Sequence, residues 1–267
     1  MRVNRTLEAW KSGKSTVGAW LSIPDGHSAE VMAHVGFDWL CVDMQHGAID
    51  YADSIEMFRA ISTTATTPFV RVPWNDPATI MKALDAGAYG VVVPLVNNRE
   101  EAERAVWASK YPPEGGRSSG PTRAAIYGGA DYQKGANDQI AVVCMIETAE
   151  ALEKLDEILS TPGVDAAYVG PSDLAYALGM EPTGDNHDPN HEAKVMEIYE
   201  ACRKHGVTPG IHTGSAEFTK KWLTAGFQMV TLGTDSGFMR SRAAGDLNET
   251  REATGAEPTM PGGSAFY

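Results

Sequence analysis

Short apolar runs alternate with amphipathic stretches eight times along this chain. The runs are rich in Val, Ile and aromatic residues and are almost continuously apolar, which is typical of strands that are buried on both faces. They cover residues 16–21, 37–42, 68–72, 89–95, 140–146, 165–169, 207–211 and 228–232. Eight strand and helix alternations without a break in composition favour an α/β fold of the (β/α)8 class, a TIM barrel, over a doubly wound sheet.

Helix start and stop signals fall between the apolar runs. The tripeptide Asn75-Asp76-Pro77 is typical of a helix start, since Pro is tolerated at the first helical position. Gly87, Gly206 and Gly226 stand where a helix is expected to end. These positions support the predicted alternation.

Length and composition favour one large cytoplasmic domain. A chain of 267 residues fits a single barrel, which we assign to residues 1–254, and residues 255–267 form an extension without periodicity that we expect to be ordered only by a neighbour. The net charge of -13 argues against a nucleic-acid partner. No apolar stretch is long enough to span a membrane, and no signal peptide is recognisable. Cys41 and Cys144 lie inside apolar runs, which predicts buried, reduced thiols.

Two segments interrupt the alternation. Residues 112–139 contain too much Gly, Pro and Ser for a helix, so we predict a long loop at the catalytic face that serves as a lid or an intersubunit contact. Residues 180–191 form a polar insertion soon after Asp173.

Two acidic residues follow neighbouring apolar runs. Glu147 comes directly after the fifth run, and Asp173 lies a few residues past the sixth. Because the carboxyl ends of barrel strands carry the active site, we expect both carboxylates at one rim, as ligands of Mg, Mn or Co. Such an ion keeps several positions for water and a chelating substrate. Alternatively, Glu147 only favours the dipole of the next helix, and Asp173 only caps a helix.

Three further polar residues stand at the ends of the second and third runs. Asp43 and His46 are three residues apart, and a carboxylate beside an imidazole fixes its tautomer and raises its basicity, as a general base requires. Arg71 lies near the end of the third run, after Pro68-Phe69-Val70, and needs an anion there. That anion is Asp43 or Glu147, a substrate carboxylate, or a developing oxyanion.

The turn Gly170-Pro171-Ser172-Asp173 offers backbone N–H groups at a helix start, together with a hydroxyl from Ser172, and a small carboxylate fits such a turn. The same residues are also ordinary loop chemistry. Every lysine falls in a helix-like or loop stretch, whereas an aldolase that forms a Schiff base needs a lysine on an inward-facing strand. Imine chemistry is therefore disfavoured.

These residues belong to longer strings that resemble the HpcH/HpaI family of class II pyruvate aldolases over roughly residues 5–250. The matching strings are GAW at 18–20, GFDWLCVDMQHG at 36–47, VRVPWNDP at 70–77, KALDAGAYGVVVP at 82–94, KYPPEGGR at 110–117, IET at 146–148, VDAAYVGPSDLAYALG at 164–179 and VTLGTD at 230–235. Several strings in the right order are far more specific than one motif.

The resemblance implies a barrel of the phosphoenolpyruvate/pyruvate type that assembles into a homohexamer. In that assembly, a trimer of dimers, the C-terminal helix is exchanged between subunits. The resemblance also implies a divalent metal ion on Glu147 and Asp173, and an acid offered by a neighbouring subunit, which falls on Asp85.

The remaining family positions also fall on residues of this chain. By resemblance, His46 and Asp43 form the base dyad, and Arg71 stabilises an oxyanion. The pyruvate carboxylate rests against the backbone of residues 170–173, and Trp20 lines the aldehyde side.

Two positions depart from the family pattern. Family members usually read D-G-E-H-A where this chain has Gln45 before His46, so one acidic charge beside the base is missing. His212 stands where an aliphatic residue is common, near the expected acceptor pocket, which leaves the identity of the aldehyde open.

The sequence therefore predicts a metal-dependent aldolase whose partners are small molecules, a 2-oxo acid and an aldehyde. The expected reaction is reversible cleavage of 4-hydroxy-2-oxo acids to pyruvate and an aldehyde. The alternatives are another metal-dependent barrel lyase or decarboxylase acting on oxaloacetate, phosphoenolpyruvate or an acyl-CoA, and a non-catalytic barrel that binds a keto acid.

Overall fold

The computed structural model describes residues 1–256 and shows a closed barrel of eight parallel strands. Each strand pairs with the next in sequence, and the last pairs with the first. The strands are β1 (Thr16–Leu21), β2 (Trp39–Asp43), β3 (Thr67–Arg71), β4 (Gly90–Val93), β5 (Ala141–Ile146), β6 (Ala166–Val169), β7 (Thr208–Ile211) and β8 (Met229–Thr234). The predicted (β/α)8 barrel is confirmed.

The strands are buried on both faces, as their continuous apolar runs predict. Alternate side chains point inward and outward, so one cluster fills the barrel and another lies between the strands and the helices. Trp39 and Phe69 fill the interior beside Gly18 and Gly90, where a Cβ atom would overlap their rings. The small residues therefore make room for large aromatic side chains inside the barrel.

The helices cover the outside of the barrel. They are α1 (Arg5–Lys11), α2 (Gly26–Ala33), α3 (Tyr51–Ile61), α4 (Pro77–Ala86), α5 (Arg99–Ser109), α6 (Thr122–Gly128), α7 (Tyr132–Gln139), α8 (Ala149–Glu153), α9 (Leu155–Leu159), α10 (Pro171–Ala177), α11 (Pro189–His205), α12 (Ala216–Ala225) and α13 (Asp235–Thr254). Asp76 caps α4 through the backbone N–H of Thr79, and Pro77 is its first residue. Gly87, Gly206 and Gly226 end their helices in the left-handed conformation, as expected.

The prediction for residues 112–139 is wrong in two respects. The segment contains α6 and α7 instead of being free of helix. It joins the end of α5 to the start of β5, so it lies at the amino-terminal face of the barrel and not at the catalytic face. Lys110 marks this face, because its Nζ donates to the carbonyl of Ile140, directly before β5.

The last described helix, α13, leaves most of its side chains exposed, including Met239 and Leu247. The predicted extension from residue 255 lies almost wholly outside the described residues. Within residues 1–256, no helix is both long and apolar enough to cross a membrane. The three cysteines are buried and free, so the prediction of buried thiols for Cys41 and Cys144 is confirmed.

Candidate active site

The predicted polar residues meet at the carboxyl ends of the strands. Asp43 is the last residue of β2, and Arg71 is the last residue of β3 and its direct partner in the sheet. Glu147 follows β5, and Asp173 lies in the first turn of α10, after β6. Because parallel strands end at one rim, residues far apart in sequence share one mouth.

Arg71 and Asp43 form a buried, two-pronged ion pair. Arg71 Nε donates to Asp43 Oδ1 at 2.9 Å, and Nη2 donates to Oδ2 at 2.7 Å. Burial alone would lower the pKa of Arg71, but the hydrogen bonds and charge of Asp43 raise it on balance, so the guanidinium stays charged. Nη1 has no partner among residues 1–256, which leaves it available to an anion in the mouth.

Asp43 does not orient the imidazole of His46 in the way the sequence suggested. Its Oδ1 accepts the backbone N–H groups of Gln45 at 3.1 Å and of His46 at 3.3 Å, and no hydrogen bond of the His46 ring occurs in the described chain. The imidazole is exposed. Gln45, one of the two departures from the family pattern, buries its Oε1 without a partner in residues 1–256. Asp43 therefore shapes the turn that carries His46.

Glu147 is a buried carboxylate with one oxygen already engaged. It is 3% exposed, and its Oε1 accepts the backbone N–H of Leu95 at 2.8 Å. Leu95 has a φ of 54°, a strained conformation for a residue other than glycine, and such strain is common at functional sites. The pKa of Glu147 is raised to about 7, because burial and the charge of Asp173 outweigh the opposing effects of the Leu95 hydrogen bond and the charge of Arg71.

The donor set of Glu147 and Asp173 fits a divalent cation. Two carboxylates repel each other here, and a dication between them would remove that repulsion. Residues 1–256 hold no group of three or more His, Cys, Asp or Glu side chains arranged for a metal. Two protein carboxylates therefore suit a hard ion such as Mg, Mn or Co, which tolerates several non-protein oxygen ligands.

Gly170 leaves the space that the Glu147 carboxylate occupies. A Cβ atom at residue 170 would lie 2.4 Å from Glu147 Oε2. The backbone at Gly170 has a φ of -93°, which any residue adopts, so the restriction is steric. It comes first from the carboxylate, with Met145 Cε next at 3.2 Å.

We expect Gly170→Ala to displace Glu147 and to weaken Mn²⁺ binding by about 10- to 100-fold, the range for changes that disturb a metal ligand indirectly. Titration followed by electron paramagnetic resonance measures this. Gly184→Ala is the matched control, because a Cβ there meets only Ser172 Oγ at 3.9 Å. Equal Mn²⁺ affinity of the two variants would contradict the steric argument.

The start of α10 leaves backbone donors unpaired. Gly170 is its N-cap residue and provides no side-chain cap, and Pro171 is its first residue. The N–H groups of Ser172 and Asp173 donate to no acceptor in the described chain. Such a helix start can bind a small carboxylate, as the sequence suggested.

An aromatic wall faces the Arg71–Asp43 pair. The Arg71 guanidinium lies 4.3 Å from the centre of the Trp20 ring, and Trp20 Nε1 donates to Tyr168 Oη at 3.1 Å and to Thr231 Oγ1 at 3.0 Å. His212 Nδ1 lies 3.3 Å from Tyr168 Oη, and its ring packs edge-on against Trp20. Burial and the charge of Arg71 lower the pKa of His212 to about 4, so this imidazole is neutral at neutral pH.

Three members of this site are not among the residues that the sequence predicts. Tyr168 and Thr231 hold Trp20 in place, and their signal was a polar group inside an otherwise apolar strand. Leu95 contributes a backbone N–H group, which no sequence pattern marks.

Asp85 does not join the other predicted residues within one chain. It lies near the end of α4, on the outside of the barrel, and accepts from Arg117 Nη2 at 2.6 Å. The Arg117 side chain is fully buried in this pair. A role in a neighbouring subunit stays a prediction.

The chain is similar to known proteins over most of its length. A family model described as HpcH/HpaI aldolase/citrate lyase matches residues 16–241. The chain is 37% identical over 249 residues to a hydroxypyruvate/pyruvate aldolase of Rhizorhabdus wittichii, covering 93% of this chain and 99% of that protein. It is 36% identical over 244 residues to a 4-hydroxy-2-oxo-heptane-1,7-dioate aldolase of Escherichia coli, covering 90% of this chain and 92% of that protein.

A solved structure shows the same relationship. An HpcH/HpaI aldolase/citrate lyase family protein from Burkholderia cenocepacia matches with a TM-score of 0.88 at 33% identity, over 93% of this chain and all of that one. Both sequence relatives are named aldolases, and aldolases are carbon–carbon lyases. The chain belongs to the HpcH/HpaI aldolase/citrate lyase family.

Proposed function

We propose that this protein reversibly cleaves 4-hydroxy-2-oxo acids to pyruvate and an aldehyde. One observation carries the proposal: the buried Glu147 carboxylate and Asp173 share the barrel mouth with a charged arginine and an uncapped helix start. Together these groups suit a small, doubly oxygenated anion such as a 2-oxo acid. The aldolase names of the two relatives support the same reaction class.

Glu147 and Asp173 would hold the divalent ion, Mg, Mn or Co. When bound, such an ion supplies Lewis acidity to the carboxylate and keto oxygens of the substrate. Glu147 is fixed for this role by the Leu95 N–H group, so it needs no rearrangement when the site fills.

The protein's own donors orient the 2-oxo acid. Its carboxylate rests at the free N–H groups of Ser172 and Asp173. Arg71 Nη1 faces the oxygen that gains negative charge as the C3–C4 bond breaks. The bidentate ion pair with Asp43 holds the guanidinium in place for this contact. Trp20 forms the wall beside the acceptor aldehyde, with His212 as a neutral polar neighbour.

His46 moves the proton in this proposal. In cleavage it takes the proton from the C4 hydroxyl, and in synthesis it takes one from the pyruvate methyl group. Its exposed ring at the mouth has no competing hydrogen bond in residues 1–256, so it is free to meet the substrate. Asp43 supports it by holding the turn, through the His46 backbone N–H.

We also propose a homohexamer, a trimer of dimers in which α13 is exchanged between subunits. The exposed side chains of α13, including Met239 and Leu247, give it a surface that a partner would cover. In such an assembly Asp85 would act as an acid for a neighbouring subunit. A cytoplasmic location without nucleic-acid or membrane partners completes the proposal.

The test begins with protein stripped by a chelator. We expect deuterium exchange at the pyruvate methyl group in D₂O to need added Mg²⁺, Mn²⁺ or Co²⁺, and cleavage of a panel of 4-hydroxy-2-oxo acids to follow the same dependence. Borohydride with pyruvate should not inactivate the enzyme, since none of the eight strands carries a lysine. Exchange without cleavage would point to a different acceptor, and the absence of both would leave only a keto-acid-binding barrel.

A further inference from the structure

His191 forms a hydrogen bond, from outside the mouth, with the turn that carries Asp173. It is the third residue of α11 and is only 2% exposed. Its Nε2 lies 3.0 Å from the carbonyl oxygen of Pro171. A carbonyl oxygen can only accept, so Nε2 carries the proton and donates it.

This hydrogen bond acts on the peptide unit that the substrate site uses. In a trans peptide the C=O and the following N–H point in opposite directions. Holding the Pro171 carbonyl toward α11 therefore aims the Ser172 N–H away from α11. The same hydrogen bond fixes the backbone two residues before Asp173, which is the exposed member of the carboxylate pair.

The His191 ring makes one hydrogen bond, and that bond goes to this turn. Its other nitrogen, Nδ1, is buried and has no partner in the described chain. The packing of α11 alone would be served as well by an apolar side chain, since a buried polar atom without a partner is unfavourable. The hydrogen bond to Pro171 is therefore the one interaction for which a histidine is needed here.

The start of α11 is itself anchored beside the turn that follows β7, the strand next to β6. Asp188 caps it through the N–H of Asn190 at 2.8 Å. Earlier in the same insertion, Asp185 Oδ1 accepts the N–H of Gly214 at 2.9 Å, and the His187 ring packs edge-on against Phe218 at 4.7 Å. These contacts tie His191 to the turn after β7, so it is a firm point from which to hold Pro171.

We propose that His191 is a positioning residue: it orients the Gly170–Asp173 turn so that Asp173 and the Ser172 N–H point into the mouth. The inference rests on the proposed function, in which this turn binds the metal ion and the substrate carboxylate. It also gives the polar insertion at 180–191 a purpose, because the insertion brings the imidazole to the back of the turn.

Three variants test the proposal. His191→Leu removes the donor, His191→Gln restores an amide nitrogen at about the Nε2 position, and His205→Leu changes a histidine at the other end of α11 that pairs with Asp156. We expect His191→Leu to weaken Mn²⁺ binding by about 10- to 100-fold, the range for groups that orient metal ligands. His191→Gln and His205→Leu should bind Mn²⁺ as the wild type does.

A second readout needs no metal ion. Hydrogen–deuterium exchange of the peptide covering residues 170–176 in metal-free protein should be faster in His191→Leu and normal in the other two variants. If His191→Leu does not fold, His191→Asn replaces it, because its amide is one methylene too short to reach Pro171.

The outcomes separate the two levels of the proposal. If His191→Leu showed the wild-type rate of backbone hydrogen–deuterium exchange at residues 170–176 and the wild-type Mn²⁺ affinity, the positioning role would be overturned. A wild type that binds Mn²⁺ no better than Glu147→Gln would instead overturn the proposed function, while the exchange data would still decide whether His191 holds the turn. Loss of affinity in both His191→Leu and His191→Gln would also count against the role of the hydrogen bond.

Discussion

Glu147→Gln is expected to abolish metal-dependent cleavage while leaving a folded protein. Glutamine keeps the size of the side chain and the acceptor for the Leu95 N–H group, so the buried packing survives. It removes the negative charge that a divalent ion requires. Since even the residues that orient metal ligands are worth about 10- to 100-fold in affinity, loss of a ligand itself should exceed that range.

Two measurements separate this effect from damage to the fold. The thermal midpoint of metal-free Glu147→Gln should equal or exceed that of the wild type, because the repulsion between Glu147 and Asp173 is removed. Addition of Mn²⁺ should raise the midpoint of the wild type and not that of the variant. Glu150→Gln is the matched control, since Glu150 is an exposed residue of α8 paired with Lys154. Wild-type Mn²⁺ affinity in Glu147→Gln would refute the metal site.

The barrel could be predicted from the sequence because its strands are buried on both faces. Each apolar run starts within two residues of the observed strand, as for residues 140–146 and β5. The helices of 112–139 could not be predicted in this way. Neither α6 nor α7 has a side-chain cap: Pro121 stands before α6, and Asp131 before α7 pairs with the amino group of Met1 instead. Distant contacts hold them instead, such as Arg123 Nη1 with the carbonyl of Ala86 at 2.6 Å.

In the candidate site, too, the sequence predicts some features and not others. Glu147, Asp173, Asp43 and Arg71 could be found because polar residues at strand ends point to the active face. Their hydrogen bonds could not be found. Closeness in sequence suggested that Asp43 binds the His46 ring, but its short side chain reaches the backbone N–H groups two and three residues ahead. Arg71 is the residue opposite Asp43 in the sheet, so the second carboxylate oxygen of Asp43 accepts a hydrogen bond from Arg71.

His46→Ala is expected to slow deuterium exchange at the pyruvate methyl group by about 10²- to 10⁴-fold, the usual contribution of a general base. Since the ring is exposed and makes no hydrogen bond in residues 1–256, the variant should keep the wild-type thermal midpoint and Mn²⁺ affinity. His27→Ala removes a different exposed imidazole, which lies on α2, and this variant should catalyse the exchange at the wild-type rate. Nuclear magnetic resonance of the methyl signal in D₂O measures the rate.

The assignment of the base can be sharpened by chemical rescue. Imidazole added to His46→Ala should restore part of the exchange, because the truncated side chain leaves an open position at the mouth. Asp43→Asn should act differently, because it weakens both the bidentate ion pair that holds Arg71 and the turn that carries His46. Added imidazole should therefore not restore exchange in Asp43→Asn. Full exchange in His46→Ala without imidazole would remove His46 from the mechanism and leave the proton transfer to another group at the rim.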